Sequence, residues 1–174
     1  DSKVLIVAAI SKTGGTAKVA QAMADVLDAR LASPRQVTGE ELSDYSLVGF
    51  GSGIFDQMHH ASIFEFIKSL PELPGRKVFI FSTSGVSRRF TIDHEIDDPH
   101  TVLRERLLAK SCEIVGEYNC AGFNNNSFLK LFGGMNRGKP DTRDIGQAKA
   151  FAEELKQYSL DSGERCLASD RIGQ

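Results

Sequence analysis

The chain has 174 residues, 41% of them hydrophobic and 25% charged, with a formal net charge of -2. That length suits one domain with its own core, and the near-balanced charge argues against a nucleic-acid backbone as partner and against a strongly acidic docking surface. Three widely spaced cysteines (Cys112, Cys120 and Cys166), without a CxxC pair, and four histidines outside any cysteine cluster suggest neither a zinc site nor a disulfide scaffold, and fit a reducing cytoplasmic setting.

The first element is KVLIVAAI, Lys3 to Ile10. An unbroken apolar run rich in β-branched residues predicts a strand covered on both faces, as in a parallel sheet. It is too short to span a membrane, and no signal peptide is read in it. The absence of an initial methionine leaves a processed precursor open. A helix is expected over residues 16–31, with Ala17, Val19, Ala20, Met23, Ala24 and Leu27 at helical spacing and Thr16 or a neighbour as its cap. PRQV, up to Val37, is read as a weak strand, and EELSD, Glu40 to Asp44, as a turn or one helical turn.

YSLVGFGSG, Tyr45 to Gly53, predicts a second apolar strand ending in glycines. MHHASIFEFIKSL reads as a helix with Ile63, Phe64, Ile67 and Leu70 on one face, closed by PELPG. RKVFIFSTSG, Arg76 to Gly85, repeats the pattern of strand, hydroxyls and glycine. DDPHTVLRERLLAKS predicts a helix with Val102, Leu103, Leu107 and Leu108 inward, and CEIVGEYNCAGF, Cys112 to Phe123, the last strand. A polar, glycine-bearing loop over 124–140 leads to a final helix over 141–157, capped by Asp141 with Asp144 three residues on. The segment 158–174 has little pattern and is expected to be a loose tail. The alternation of strand and helix implies right-handed βαβ crossovers and a sheet with helices on both faces.

In that architecture ligands bind beyond the carboxyl ends of the strands. Three strand ends share one vocabulary: SKTGGT, GSGIF and FSTSGV. At the first, Gly14 and Gly15 allow the backbone to close round an anion at the mouth of a helix, and Ser11, Thr13 and Thr16 supply hydroxyls. The alternative is a capped turn without a ligand, and Lys12 is either a phosphate contact or simply solvated. Neither the GxxxxGK[ST] phosphate loop nor the GxGxxG dinucleotide fingerprint is present there, which favours a monophosphate held by neutral donors.

SKTGGT also resembles the flavodoxin phosphate pattern [TS]-x-T-G-x-T, and the order of elements over 3–157 is similar to that of flavodoxins, specifically a bacterial and archaeal flavodoxin-like branch. The resemblance implies an α/β/α sandwich over residues 1–157, with a parallel sheet of five strands in the order 2-1-3-4-5, that binds FMN. It places the ribityl phosphate on Ser11, Lys12, Thr13, Gly14, Gly15 and Thr16, and the flavin ring between Ser52, Gly53, Ile54 and Phe55 on one side and Ser82, Thr83, Ser84, Gly85 and Val86 on the other. It implies electron transfer between transient protein partners without a catalytic side chain; the oligomeric state stays open, with a monomer slightly favoured. Composition and cysteine usage add the expectation of a cytoplasmic protein without a metal, membrane insertion or a nucleic-acid partner. The alternative is an FMN-dependent NAD(P)H or quinone oxidoreductase.

Two departures stand out. Flavodoxins usually stack Trp and Tyr on the flavin; here there is no Trp, and Tyr45, Tyr118 and Tyr158 fall outside both flavin loops. Phe55 is the stacking candidate, with Phe90 as a second face, or Phe55 belongs to the core or surface instead. DHEIDD, over 93–98, is read either as charge near the flavin or as a solvated loop, and His94 within it as a proton carrier or merely exposed.

Overall fold

The computed structural model describes residues 3–10, 15–55, 58–84, 98–121 and 141–159. In chain order its elements are β1 (Val4–Ala9), α1 (Thr16–Leu27), β2 (Arg30–Ala32), a 3-10 helix (Glu40–Asp44), β3 (Leu47–Phe55), β4 (Met58–His59), α2 (Ala61–Ser69), β5 (Lys77–Ser84), α3 (Thr101–Ala109), β6 (Glu113–Ala121), α4 (Thr142–Leu155) and a closing 3-10 turn (Lys156–Tyr158). Five strands run parallel in the order β2-β1-β3-β5-β6, and β4 folds back antiparallel on the end of β3. The expected order 2-1-3-4-5 is this one, with β4 as an addition that the sequence reading lacked.

The central strands are buried on both faces, as their unbroken apolar runs predict. One face carries Val4, Ile6, Ala8, Leu47, Phe79 and Phe81 against α1 and α4; the other carries Leu5, Val7, Val48, Phe50, Val78 and Ile80 against α2 and α3. Gly49 and Gly51 lie beside Phe79 and Phe81, whose rings fill the space a Cβ would need. Glycine on β3 is therefore the complement of phenylalanine on β5.

The structure departs from the sequence reading in the bounds of several elements and in the face of one helix. The first helix stops at Leu27, because Asp28 takes a left-handed conformation (φ 51°) and its N–H returns to the Ala24 carbonyl. That turn frees Arg30–Ala32 to pair with β1, so β2 lies before PRQV, which forms no strand. Met58 and His59 form a strand, so α2 begins only at Ala61, with the His60 ring accepting from the Ser62 N–H. On α3, Leu103 and Leu107 are fully buried but Leu108 is 53% exposed. The α4 cap is as expected: Asp141 accepts from the Asp144 N–H and Asp144 from the Asp141 N–H, both at 3.0 Å.

Between β5 and β6 the register slips at Val78/Phe79, so that Val78 faces Ile114 but Phe79 faces Gly116. A bulge of this kind shifts the inward-outward alternation by one residue. Beyond it Tyr118 and Cys120 join the α1/α4 face, while Glu117 and Asn119 turn to the α2/α3 face, where they meet the site.

Candidate functional site at the carboxyl edge of the sheet

The ends of β1, β3, β5 and β6 come level. Ala9 pairs with Ser52, Ser52 with Ser82, Ser82 with Asn119, and Gly53 with Thr83. Helix α1 starts at the same edge, with Gly15 at its cap position making no side-chain cap hydrogen bond and no acidic residue in the first turn. The Thr16 hydroxyl lies 2.7 Å from that of Thr83, and both residues are buried. This contact ties the start of α1 to the end of β5. Thr16 is thus the first helical residue, turned across the sheet edge, and Gly15 holds the cap.

β3 runs past the sheet into a hairpin, Ile54 opposite His59 and Phe55 opposite Met58. The hairpin is held from below. The His59 Nε2 lies 2.9 Å from the Phe81 carbonyl, which can only accept, so Nε2 carries the proton. The Ser52 hydroxyl accepts the His60 N–H at 2.9 Å and donates to the Gly53 carbonyl at 2.6 Å.

Beneath the end of β5 lies a buried polar network. His100, fully buried, meets the Ser82 hydroxyl through Nε2 at 2.6 Å and Glu117 through Nδ1 at 3.0 Å. Arg104 donates to both Glu117 oxygens, from Nε at 2.9 Å and Nη2 at 2.8 Å, and to Asp98 from Nη2 at 3.0 Å. These bonds hold its guanidinium firmly charged. Asn119 donates to the Ser82 and Ser84 hydroxyls at 2.9 and 3.2 Å. Ser82, His100 and Glu117 share the connectivity of a nucleophile relay, but Ser82 lies within a central strand, 0% exposed, with its hydroxyl engaged by Asn119. It acts as a post for the strand end, not as a nucleophile.

The His59 ring stands 5.2 Å from that of His100, inclined at 52°. Burial, and then the neighbouring His100, push the His59 pKa down to about 4. Its Nδ1 has no hydrogen-bond partner among the described residues.

Of the expected site residues, Gly15, Thr16, Ser52, Gly53, Ile54, Ser82, Thr83 and Ser84, with the backbone of Phe55, come together at this edge. The Ser52 and Ser82 hydroxyls point into the structure, towards His60 and His100. Ser11, Lys12, Thr13, Gly14, Gly85, Val86, Phe90 and His94, together with 124–140 and 160–174, lie outside the described residues. Tyr118 stacks on Phe151 of α4 and donates to the Asp144 carbonyl; burial raises its phenol well above the usual range, as expected of a packing residue. Sequence reasoning missed His59, His100, Glu117 and Asn119. The available signal was Glu117 and Asn119, two polar residues at alternate positions inside the last strand. Among the described residues no helix is long and apolar enough to cross a membrane, and no group of His, Cys, Asp and Glu is arranged to hold a metal ion.

The Flavodoxin domain family matches residues 6–114, more than half of the chain. An uncharacterized protein of Methanocaldococcus jannaschii is 38% identical over 140 residues, covering 80% of this chain and 89% of its own. Among solved structures, flavodoxin 2 of Bacillus cereus superposes with a TM-score of 0.65 at 21% identity, over 90% of this chain and 99% of that one. A flavodoxin from the domain Archaea gives 0.62 at 14% identity, over 88% and 96%. At these identities the two structures speak for the fold.

Proposed function

The chain belongs to the flavodoxin domain family, and from that premise we propose that it is an FMN-dependent electron carrier. The observation that carries the reading is the shared edge: three parallel strand ends bearing small and hydroxyl residues, level with one another and with a helix start whose cap position is a glycine. The donor set fits a phosphomonoester. First-turn amides without an acidic neighbour favour an anion, and the helix dipole adds to them. Gly15 and Thr16 would hold the phosphate together with Ser11, Lys12, Thr13 and Gly14. The β3–β4 hairpin and the residues from Ser82 onward would form the walls for the ring, chiefly through backbone groups, since the Ser52 and Ser82 hydroxyls are taken up inside.

Bound FMN supplies one- and two-electron chemistry. The chain's part is to bind, orient and exclude water. Thr16 and Thr83 fix the helix start against the strand end; Asn119 holds Ser82 and Ser84 in place; His59 holds the hairpin. None of these groups needs to exchange a proton with a substrate, which favours a carrier over an enzyme.

Reconstitution with FMN, followed by stopped-flow reduction, tests the reading. Slow bleaching by NADH or NADPH alone and fast bleaching through a reductase partner is the expected result. Rapid, saturable reduction by the nicotinamide alone would make the protein an FMN-dependent oxidoreductase instead.

A further inference from the structure

Two buried imidazoles sit beneath the proposed flavin walls, joining segments that are distant in sequence. His59 belongs to the hairpin that extends β3; His100 precedes α3 and is bonded to the end of β5. Only one hydrogen bond from the hairpin's side chains to the β5 backbone is seen among the described residues, that from His59 Nε2 to the Phe81 carbonyl. The His59 ring packs beside that of His100, whose two nitrogens are held by Ser82 and Glu117. The second ring is therefore a fixed wall against which the first must fit.

We propose that His59 is a positioning residue of the FMN site: its neutral ring clips the Ile54–His59 hairpin to β5, and a proton added to that ring favours release of the hairpin and of the flavin. This rests on the FMN reading above and names a control built into the same site. Protonation leaves the bond to Phe81 intact, so release must come from the cost of a buried charge. The groups facing the ring are His100, Glu117 on β6 and Asp98 ahead of α3, with Arg104 of α3 bound to both carboxylates. The carboxylates favour the charge, but burial and His100 outweigh them.

The sign follows by linkage. Released, the ring titrates at an ordinary value near 6.5; docked, it titrates at about 4. Above the first value both states are neutral and protons play no part. Between the two values the released state binds more protons, so docking weakens as pH falls, by at most about tenfold per pH unit for one proton. Below about 4 both states are protonated and the loss levels off.

FMN dissociation constants from pH 8 to 5 on wild type, His59→Gln and His59→Ala test the proposal. The phosphate of FMN also titrates, near pH 6, but does so alike in all three, so the difference between profiles is what counts. Glutamine keeps an N–H for Phe81 and does not titrate. Its affinity at pH 8 should stay within about threefold of wild type, and its profile should lose the part due to His59. Alanine should weaken FMN about tenfold at pH 8, the scale of one net hydrogen bond, with an equally flattened profile. A His59→Gln profile identical to wild type, or full affinity in His59→Ala, overturns the proposal.

Hydrogen exchange on the FMN-free protein supplies the second readout. Protection of the amides over 54–60 should fall from pH 7 to 5 in wild type and hold constant in His59→Gln. Loss of protection that is the same in both proteins would likewise overturn the clip. Wild-type protein that binds no FMN at pH 8 refutes the FMN reading itself and this inference with it. Normal FMN binding that is indifferent to His59 refutes the inference alone.

Discussion

The two faces of the sheet reach the same edge by different means. On the α1/α4 side, shape does the work: Phe79 and Phe81 lie beside Gly49 and Gly51, and the Thr16 and Thr83 hydroxyls meet at the edge. On the α2/α3 side Ser82, His100, Glu117 and Asn119 form a connected polar network, and beside it Ser52 accepts the His60 N–H and His59 reaches the Phe81 carbonyl. An apolar face cannot fix the direction of a strand end beyond the last side chain that packs. Directed hydrogen bonds can, because each bond has a preferred direction and each lost partner leaves a buried group unpaired. The hairpin and the end of β5, which are the proposed flavin walls, are held from the polar side.

The comparison breaks most severely at Gly51. Gly51→Leu should prevent folding or cost about 3 kcal/mol or more, since the Phe81 ring occupies the place of its side chain; urea unfolding measures it. On the other face, Glu117→Ala strips His100 of its carboxylate and leaves Arg104 with Asp98 alone of its two. It should cost about 2–3 kcal/mol, the worth of hydrogen bonds to charged groups. In addition it should loosen the end of β5, read as faster amide exchange at Ser82–Ser84, an effect Gly51 variants that still fold should not reproduce. Asp141→Ala, remote from both, removes the α4 cap and should lower stability by about 1 kcal/mol with no change at the edge. Leu108→Ser should change stability by no more than about 0.5 kcal/mol, because that side chain is largely exposed; a larger loss would mean that the inward face of α3 is wider than Leu103 and Leu107.

The parallel core was legible because burial on both faces writes itself as unbroken apolar runs, as in KVLIVAAI and KVFIF. The α4 start was legible because Asp141 and Asp144 are spaced for a reciprocal cap. What escaped depended on single backbone events. The left-handed turn at Asp28 moves β2 ahead of PRQV, and nothing in the local pattern marks it. The hairpin hides the role of His59, because two histidines before a helical stretch read as part of that helix. The bulge in β6 shifts the alternation, so Glu117 and Asn119 face the side that an even count would not give them. The polar contacts at the edge required the hairpin and the bulge at once, with His100 placed ahead of α3. For the proposed phosphate cradle the sequence carried the composition, SKTGGT, and the structure adds that the helix behind it starts level with β3 and β5.

The central claim is that this edge binds FMN with its phosphate at the start of α1. Fluorescence titration of the apo protein with FMN and with riboflavin, on wild type and Gly14→Val, tests it most directly. Wild type should bind FMN far more tightly than riboflavin, since charge-assisted hydrogen bonds to the phosphate exceed neutral ones. Gly14→Val should remove most of that difference by crowding the phosphate while leaving riboflavin affinity nearly unchanged. Equal affinity for the two flavins in wild type, or no binding of either, would contradict the account.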